Sequence, residues 1–313
     1  MTNRRDFLMA AGAATAACTL PVHELHAAEK NEMPVRFALN TSTIRGQKLT
    51  IDKQVAIAIE AGYDGIEPWI GDINKFIAAG GELLDLKKQI DAGGLKVVSA
   101  IGFANWISDD DEERAKGLKQ ARADMDLIKT LGGTHMAAPP VGAHKPDHMS
   151  PPLSVIADRY RALLKVGDEM GVVPQLELWG FSKTLSKLSE LAYVSAGAEH
   201  PNACVLPDFY HIYKGGNDFA GLAMIEASRM HCFHMNDYPG DIPLDKIGDA
   251  DRVFPGDGDC DLPHIIRGLI DRGFQGAFSL ELFNRTYWER DALEVCQEGL
   301  EKSKAVVQEA LAL

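Results

Sequence analysis

Basic charge is scarce in this chain. Its 313 residues carry 32 Lys and Arg against 45 Asp and Glu, a formal net charge of −13. Nucleic-acid binding needs clustered Lys and Arg to neutralise phosphates. No basic stripe runs through the sequence, so a nucleic-acid partner is excluded. Cysteine is scarce too. Cys18, Cys204, Cys232, Cys260 and Cys296 form no C-x-x-C pair, which argues against a zinc knuckle or a thioredoxin-type site. Cys204 and Cys232 fall inside predicted strands and read as small buried apolar residues. No apolar run reaches the ~20 residues of a membrane span, so no transmembrane segment is expected. Low-complexity linkers and a second domain are also missing. What is present is a 46% hydrophobic chain, enough to bury a substantial core. The acidic balance suits a site that gathers metal cations.

The first thirty residues stand apart. Asn3-Arg4-Arg5-Asp6-Phe7-Leu8 places an arginine pair before Phe-Leu, followed by a weakly apolar, Ala-rich stretch from Met9 to Leu20. Ala27 and Ala28 offer a cleavage site. This resembles a twin-arginine export signal, so residues 1–28 are set apart from the fold and a periplasmic location is expected. Thr15-Ala16-Ala17-Cys18 is a poor lipoprotein box, with lipid anchoring at Cys18 the alternative. The twin-arginine route carries folded proteins, so the missing disulfide pattern does not conflict with export.

From Pro34 onward, short apolar runs alternate with helical patterns. The strands are read at 35–40, 65–68, 96–101, 134–138, 172–178, 203–208, 230–235 and 277–282. Helices are read at 51–61, 83–92, 111–131, 153–170, 184–196, 261–271 and 291–310, with a short one around 219–227. Glycines such as Gly62, Gly93 and Gly171 stop the helices, as left-handed caps do. Strands alternating with helices imply parallel pairing. Eight such units close into a single α/β domain over residues 34–313, a (β/α)₈ TIM barrel with its site at the carboxyl ends of the strands.

Four strands end on groups that bind metals. Leu176-Glu177 and Leu280-Glu281 end in acids, Leu206-Pro207-Asp208 in another, and Phe233-His234 in an imidazole. Each alone has a plain structural alternative: a turn cap, a pair with a lysine, a hydrogen-bonded core histidine. Jointly they occupy one side of the barrel mouth, and three carboxylates that close repel one another unless a cation lies between them. Glu177, Asp208, His234 and Glu281 are therefore expected to bind one divalent metal, Mn²⁺, Mg²⁺, Co²⁺ or Zn²⁺ by ligand type. His211 is a further ligand or a hydrogen-bond donor to substrate. Trp69, Phe103, Trp106, Trp179, Phe283 and Tyr287 are expected to wall the site. His135, His144 and His148 lie in or near the loop 139–152 and are expected to be exposed or packed there, with a second metal site as the alternative.

These residues resemble the xylose isomerase-like TIM barrels, a family of sugar isomerases and epimerases that also includes inosose dehydratase and endonuclease IV. The likeness is closest to the inosose (2-keto-myo-inositol) isomerases. It runs through Leu176-Glu177-Leu178, Asp208-x-x-His211-x-Tyr213-x-Gly215-Gly216, His234-Met235-Asn236-Asp237 and Ser279-Leu280-Glu281-Leu282-Phe283. Its most specific string is Asp251-Arg252-Val253-Phe254-Pro255-Gly256-Asp257-Gly258. The resemblance implies that Glu177 and Glu281 also move protons, and that His211 and Arg252 hold substrate oxygens. For Arg252 the alternative is a loop salt bridge to a nearby aspartate. The implied reaction is isomerisation or epimerisation of a free keto-sugar or inosose through a metal-stabilised enediolate. A dehydratase of a keto-inositol-like substrate and a non-catalytic carbohydrate-binding protein are the alternatives. The expected partner is a small carbohydrate, and assembly into a homo-oligomer stays open.

Overall fold

The computed structural model describes residues 33–313; residues 1–28, with the arginine pair and Cys18 read as an export signal, lie outside them. The described residues hold eight strands: β1 (Arg36–Asn40), β2 (Gly65–Glu67), β3 (Lys96–Val97), β4 (His135–Ala138), β5 (Val173–Glu177), β6 (Val205–Leu206), β7 (Cys232–Met235) and β8 (Ala277–Leu280). They also hold nine α-helices: α1 (Ile51–Ala61), α2 (Ile70–Ala78), α3 (Leu83–Ala92), α4 (Asp111–Thr130), α5 (Leu153–Met170), α6 (Leu188–Gly197), α7 (Phe209–Lys214), α8 (Leu262–Asp271) and α9 (Ala292–Ala312).

Every strand pair is parallel, in the orders β3-β2-β1-β8-β7 and β4-β5-β6. Two hydrogen bonds join these segments into a closed barrel. Ala137 N–H donates to Ala100 O at 2.8 Å, and His234 N–H donates to Pro207 O at 2.9 Å. The expected (β/α)₈ TIM barrel is the observed fold.

Local chemistry accounts for the element ends. α1 stops where Gly62 turns to φ 88°, a left-handed conformation that costs glycine nothing. α4 starts at Asp110, whose side chain accepts the Glu113 N–H. The strands are shorter than their apolar runs, because ladder pairing ends before the buried run does. Two helices were not anticipated. α2 follows β2 directly and buries Ile70 and Ile73. α7 has only six residues, too few for a visible helical period, and the expected helix around 219–227 is instead two 3-10 turns.

Side-chain alternation along each strand sets up the site. In β7, Phe233 packs on Phe209, Phe274 and Phe278 between barrel and helices. Its neighbour Cys232 packs inside with Ile101, Ala137 and Leu206. His234, two residues on, must share the interior. In β8, Phe278 joins the outer aromatic layer while Ser279 turns inward to Glu67. Each buried ring contributes about 1.5–3 kcal/mol, so a one-residue slip that exchanged these faces would be strongly disfavoured.

Candidate metal centre at the barrel mouth

His234 is the hub. Its side chain is fully buried, and Nδ1 lies 3.3 Å from Glu281 Oε2, 3.5 Å from Asp208 Oδ2 and 3.8 Å from Glu177 Oε1. The four residues that end β5 to β8 in the sequence therefore do converge. Asp208, His234 and Glu281 form the tight group, with ligand atoms within 4.8 Å of one another. Glu177 stands slightly farther out.

Asp208 plays two parts. It is the N-cap of α7, with Oδ1 accepting the His211 N–H at 2.8 Å. That leaves Oδ2 for the centre. The turn-cap and metal-ligand readings of this residue are thus compatible, one for each oxygen. The cap also fixes His211 beside the site. Glu177 Oε1 accepts Trp179 Nε1–H at 2.9 Å, and Glu281 Oε1 accepts Asn40 Nδ2–H at 3.1 Å.

Arg252 reaches the same centre from the long connection after β7. It is 1% exposed. Nη1 donates to Asp208 Oδ2 at 2.9 Å and to Glu281 Oε2 at 2.8 Å, while Nη2 donates to Asp249 Oδ1 at 2.9 Å. The salt bridge to a nearby aspartate is therefore real, but it shares the guanidinium with two residues of the centre. The loop that delivers Arg252 is pinned by one carboxylate. Asp237 Oδ2 accepts the N–H groups of Gly256 and Gly258, and Oδ1 accepts that of Cys260. A Cβ at Gly258 would collide with that carboxylate, and Gly256 sits at φ 85°. This is the physical content of the Pro-Gly-x-Gly string.

Arg252 Nη2 also lies 3.1 Å from His211 Nε2. A guanidinium can only donate, so Nε2 accepts and the His211 proton sits on Nδ1. Burial first, with Arg252 opposing charge as well, lowers the His211 imidazole to about 4, so the ring is neutral. Its Nδ1 has no partner among the described residues.

Sequence reasoning missed the next layer. Glu67, at the end of β2, is fully buried, and its Oε2 lies 3.1 Å from His234 Nε2. Ser279 Oγ–H and Asn40 Nδ2–H donate to the same oxygen at 2.7 and 2.9 Å. Gly65-Ile66-Glu67 carries the same signal as the other strands, an apolar run ending in an acid, so it was legible. Glu67, Cys232 and His234 form a second close group. Glu67 and Cys232 do not line the cavity, however, whereas Glu177 and Glu281 do. Nδ1 therefore faces the carboxylates that line the cavity, and Glu67 lies against Nε2 on the far side.

Electrostatics follow from crowding. Burial raises Glu177 to about 8 and Glu281 to about 7, with neighbouring carboxylates adding to each. Burial alone would also raise Asp208, but Arg252 and His234 hold it well below its ordinary range. His234 goes well above its usual value, because Glu281 and Glu67 outweigh its burial. Four buried carboxylates face one guanidinium and one imidazole. That excess of negative charge, with Glu177 Oε2 and both ring nitrogens of His234 lacking a hydrogen-bond partner among the described residues, fits a divalent cation held by oxygen and one nitrogen.

Above the centre lies a cavity of about 190 Å³ lined by Trp69, Phe103, Trp179, Phe181 and Phe283. Four of the six expected wall aromatics are there. Trp106 is instead core, donating Nε1–H to Pro139 O and packing on Tyr160. Tyr287 stacks on Phe254 at 4.1 Å. Of the three histidines in or near the loop 139–152, His144 and His148 pack together there. His135 opens β4 at the opposite end of the barrel.

Comparisons agree with this architecture. An inosose isomerase of Bacillus velezensis is 24% identical over 247 residues, 79% of this chain and 88% of that protein. A fructoselysine 3-epimerase of Escherichia coli is 23% identical over 286 residues, 84% of this chain and 96% of the other. A crystal structure of the IolI protein with a bound zinc atom superposes with a TM-score of 0.81 at 22% identity, covering 89% of this chain and all of that one. The family model for xylose isomerase-like TIM barrels matches residues 55–306, and the chain belongs to that family.

Proposed function

We propose that this protein is a metal-dependent isomerase or epimerase of a free keto-sugar or inosose. The observation that carries the reading is the convergence of Glu177, Asp208 and Glu281 on His234 Nδ1 beneath an aromatic-walled cavity. Glu177, Asp208, His234 and Glu281 would hold the cation. When bound, it supplies Lewis-acid polarisation of a substrate carbonyl and its neighbouring hydroxyl.

The chain's own groups supply the rest. Glu177 and Glu281 enter from β5 and β8 and can flank a substrate. One of the pair acts as a carboxylate and takes the proton from the carbon beside the carbonyl. The other acts as a carboxylic acid and gives its own proton to the opposite face of that carbon, which epimerises, or to the neighbouring carbon while the hydroxyl proton passes to the former carbonyl oxygen, which isomerises; exchange with solvent then resets the two acids. His211 Nδ1–H is a free donor for a substrate oxygen, and Arg252 holds the oxygens of Asp208 and Glu281 in register. Trp69, Phe103, Trp179 and Phe283 offer flat apolar faces to a sugar ring and limit water entry. The twin-arginine pair Arg4-Arg5 supports export within the same proposal, which favours unphosphorylated substrates.

The test is a panel of free keto-sugars and inososes incubated with metal-loaded protein in D₂O. Solvent deuterium should enter the carbon next to the carbonyl of the true substrate. Glu281→Gln should slow this by about 10²–10⁴-fold with the circular dichroism unchanged. Full exchange in that variant would overturn the role of Glu281. A product lighter by one water moves the reading to a dehydratase, and binding without exchange moves it to a carbohydrate-binding protein.

A further inference from the structure

The opposite, amino-terminal end of the barrel carries a pocket of about 500 Å³ that the chemistry above leaves unused. Its walls are strand starts. Arg36 opens β1, Lys96 opens β3, His135 opens β4 and His231 directly precedes β7. Thr134 and Gln275 add polar groups. Not one carboxylate lines the pocket, in a chain with 45 Asp and Glu.

Three of the four basic groups there are uncommitted; the exception is His135, whose Nδ1 shares a hydrogen bond with Thr134 Oγ1 at 2.9 Å. Among the described residues, neither the Arg36 nor the Lys96 side chain forms an ion pair or donates a hydrogen bond. The His135 and His231 rings lie 4.4 Å apart, tilted by 34°, and His231 has no ring hydrogen bond among the described residues. Burial lowers both imidazoles, His135 to about 4, with the other ring adding to the effect at His135 and Arg229 at His231. Two neutral rings therefore offer N–H donors beside two fixed positive charges. Basic residues at this end of a barrel often complement the negative ends of helices, but Arg36 and Lys96 sit on strands and touch no helix carbonyl. A metal is disfavoured, because two cations and no carboxylate would surround it.

We propose that this floor pocket is a second binding site, for a small multivalent oxyanion of the phosphate class. Its volume is ordinary for a small-molecule site. Arg36 and Lys96 would supply the charge, and the imidazoles and Thr134 the directional hydrogen bonds.

The test uses the full chain and pyrophosphate, by titration calorimetry at low ionic strength. Wild type should bind one equivalent, and ring resonances of His135 and His231 should shift on addition. The double variant Arg36→Ala, Lys96→Ala should bind at least tenfold more weakly and keep wild-type deuterium exchange, since both side chains are exposed and distant from the mouth. Arg252→Ala, which removes the cation at the mouth, should still bind. Three results overturn the proposal: no binding to wild type at millimolar pyrophosphate, undiminished binding to the double variant, or loss of binding in Arg252→Ala with the two ring signals unmoved.

Discussion

The two halves of this barrel do different work at one centre. β5 to β8 and their ends supply the converging groups: Glu177 and Glu281 line the cavity with Arg252 from the connection after β7, and Asp208 and His234 lie buried directly beneath it. β1 and β2 supply groups that touch those groups. Asn40 bridges Glu67 and Glu281, Glu67 sits against the far side of His234, and Trp69 Nε1–H donates to Asn40 Oδ1 at 2.8 Å. Two residues past β3, Ser99 Oγ accepts Gln175 Nε2–H from β5. On the proposed function, one half reacts and the other holds it in place. A metal-binding imidazole needs such backing, because the partner of its second nitrogen fixes the tautomer and the ring plane.

That division predicts that substitutions in the second half cost more, and cost differently. The largest loss is expected at Glu281, where exchange falls as described above. Arg252→Ala comes next. It strips the donor from Asp208 Oδ2 and Glu281 Oε2, leaving two buried carboxylates without their countercharge. Breaking a buried pair in this way costs about 3–5 kcal/mol. Urea unfolding in chelator should show that loss, and saturating divalent cation should restore a good part of it, since the cation takes over the same charge. A stability loss that metal leaves unchanged would mean that Arg252 is only a structural clamp.

Glu67→Gln probes the first half. The residue does not line the cavity, so substrate contacts should survive. What is lost is the negative oxygen that fixes His234 Nε2. Metal affinity should fall about 10–100-fold, measured by calorimetry on the metal-stripped protein. Michaelis constants at saturating metal should change little. A fall in affinity as large as that from removing His234 itself would erase the distinction between the two halves.

The sequence showed one half more plainly than the other, for a physical reason. Ligands on β5 to β8 each terminate an apolar run, so alternation within a strand brings all four into one mouth. The barrel followed from the strand–helix rhythm, and α1, α3 and α5 matched to the residue because glycine or a change of period marks their ends. Glu67 sends the same signal but has no partner nearby in sequence, and its role depends on a 3.1 Å approach across the barrel that no spacing encodes. Asn40 and Ser279 are small polar residues at strand ends, ordinary in any sequence. Trp106 and Tyr287 look like site aromatics by position, and only packing separates them from Trp69 and Trp179. His135 falls within the strand read at 134–138 and near the loop that follows, and as the first residue of β4 it lies at the other end of the barrel from that loop.

Two tryptophans allow the finest version of the comparison. Trp179 donates its indole N–H directly to Glu177 Oε1 at 2.9 Å, and Trp69 donates to Asn40, one step removed from Glu281 and Glu67. Both line the cavity, and Phe at either position keeps an aromatic face there while deleting the donor. Trp179→Phe leaves Glu177 with no hydrogen-bond donor among the described residues on either oxygen, because Oε2 already lacks one. Losing that bond should cost about 1 kcal/mol, roughly a fivefold fall in exchange rate. Trp69→Phe leaves Asn40 its two carboxylate partners and should cost about half as much. Deuterium exchange measured side by side at saturating metal orders the two. Equal effects would mean that both indoles matter only as walls of the cavity, and the separation between reacting and supporting halves would then rest on Glu67 alone.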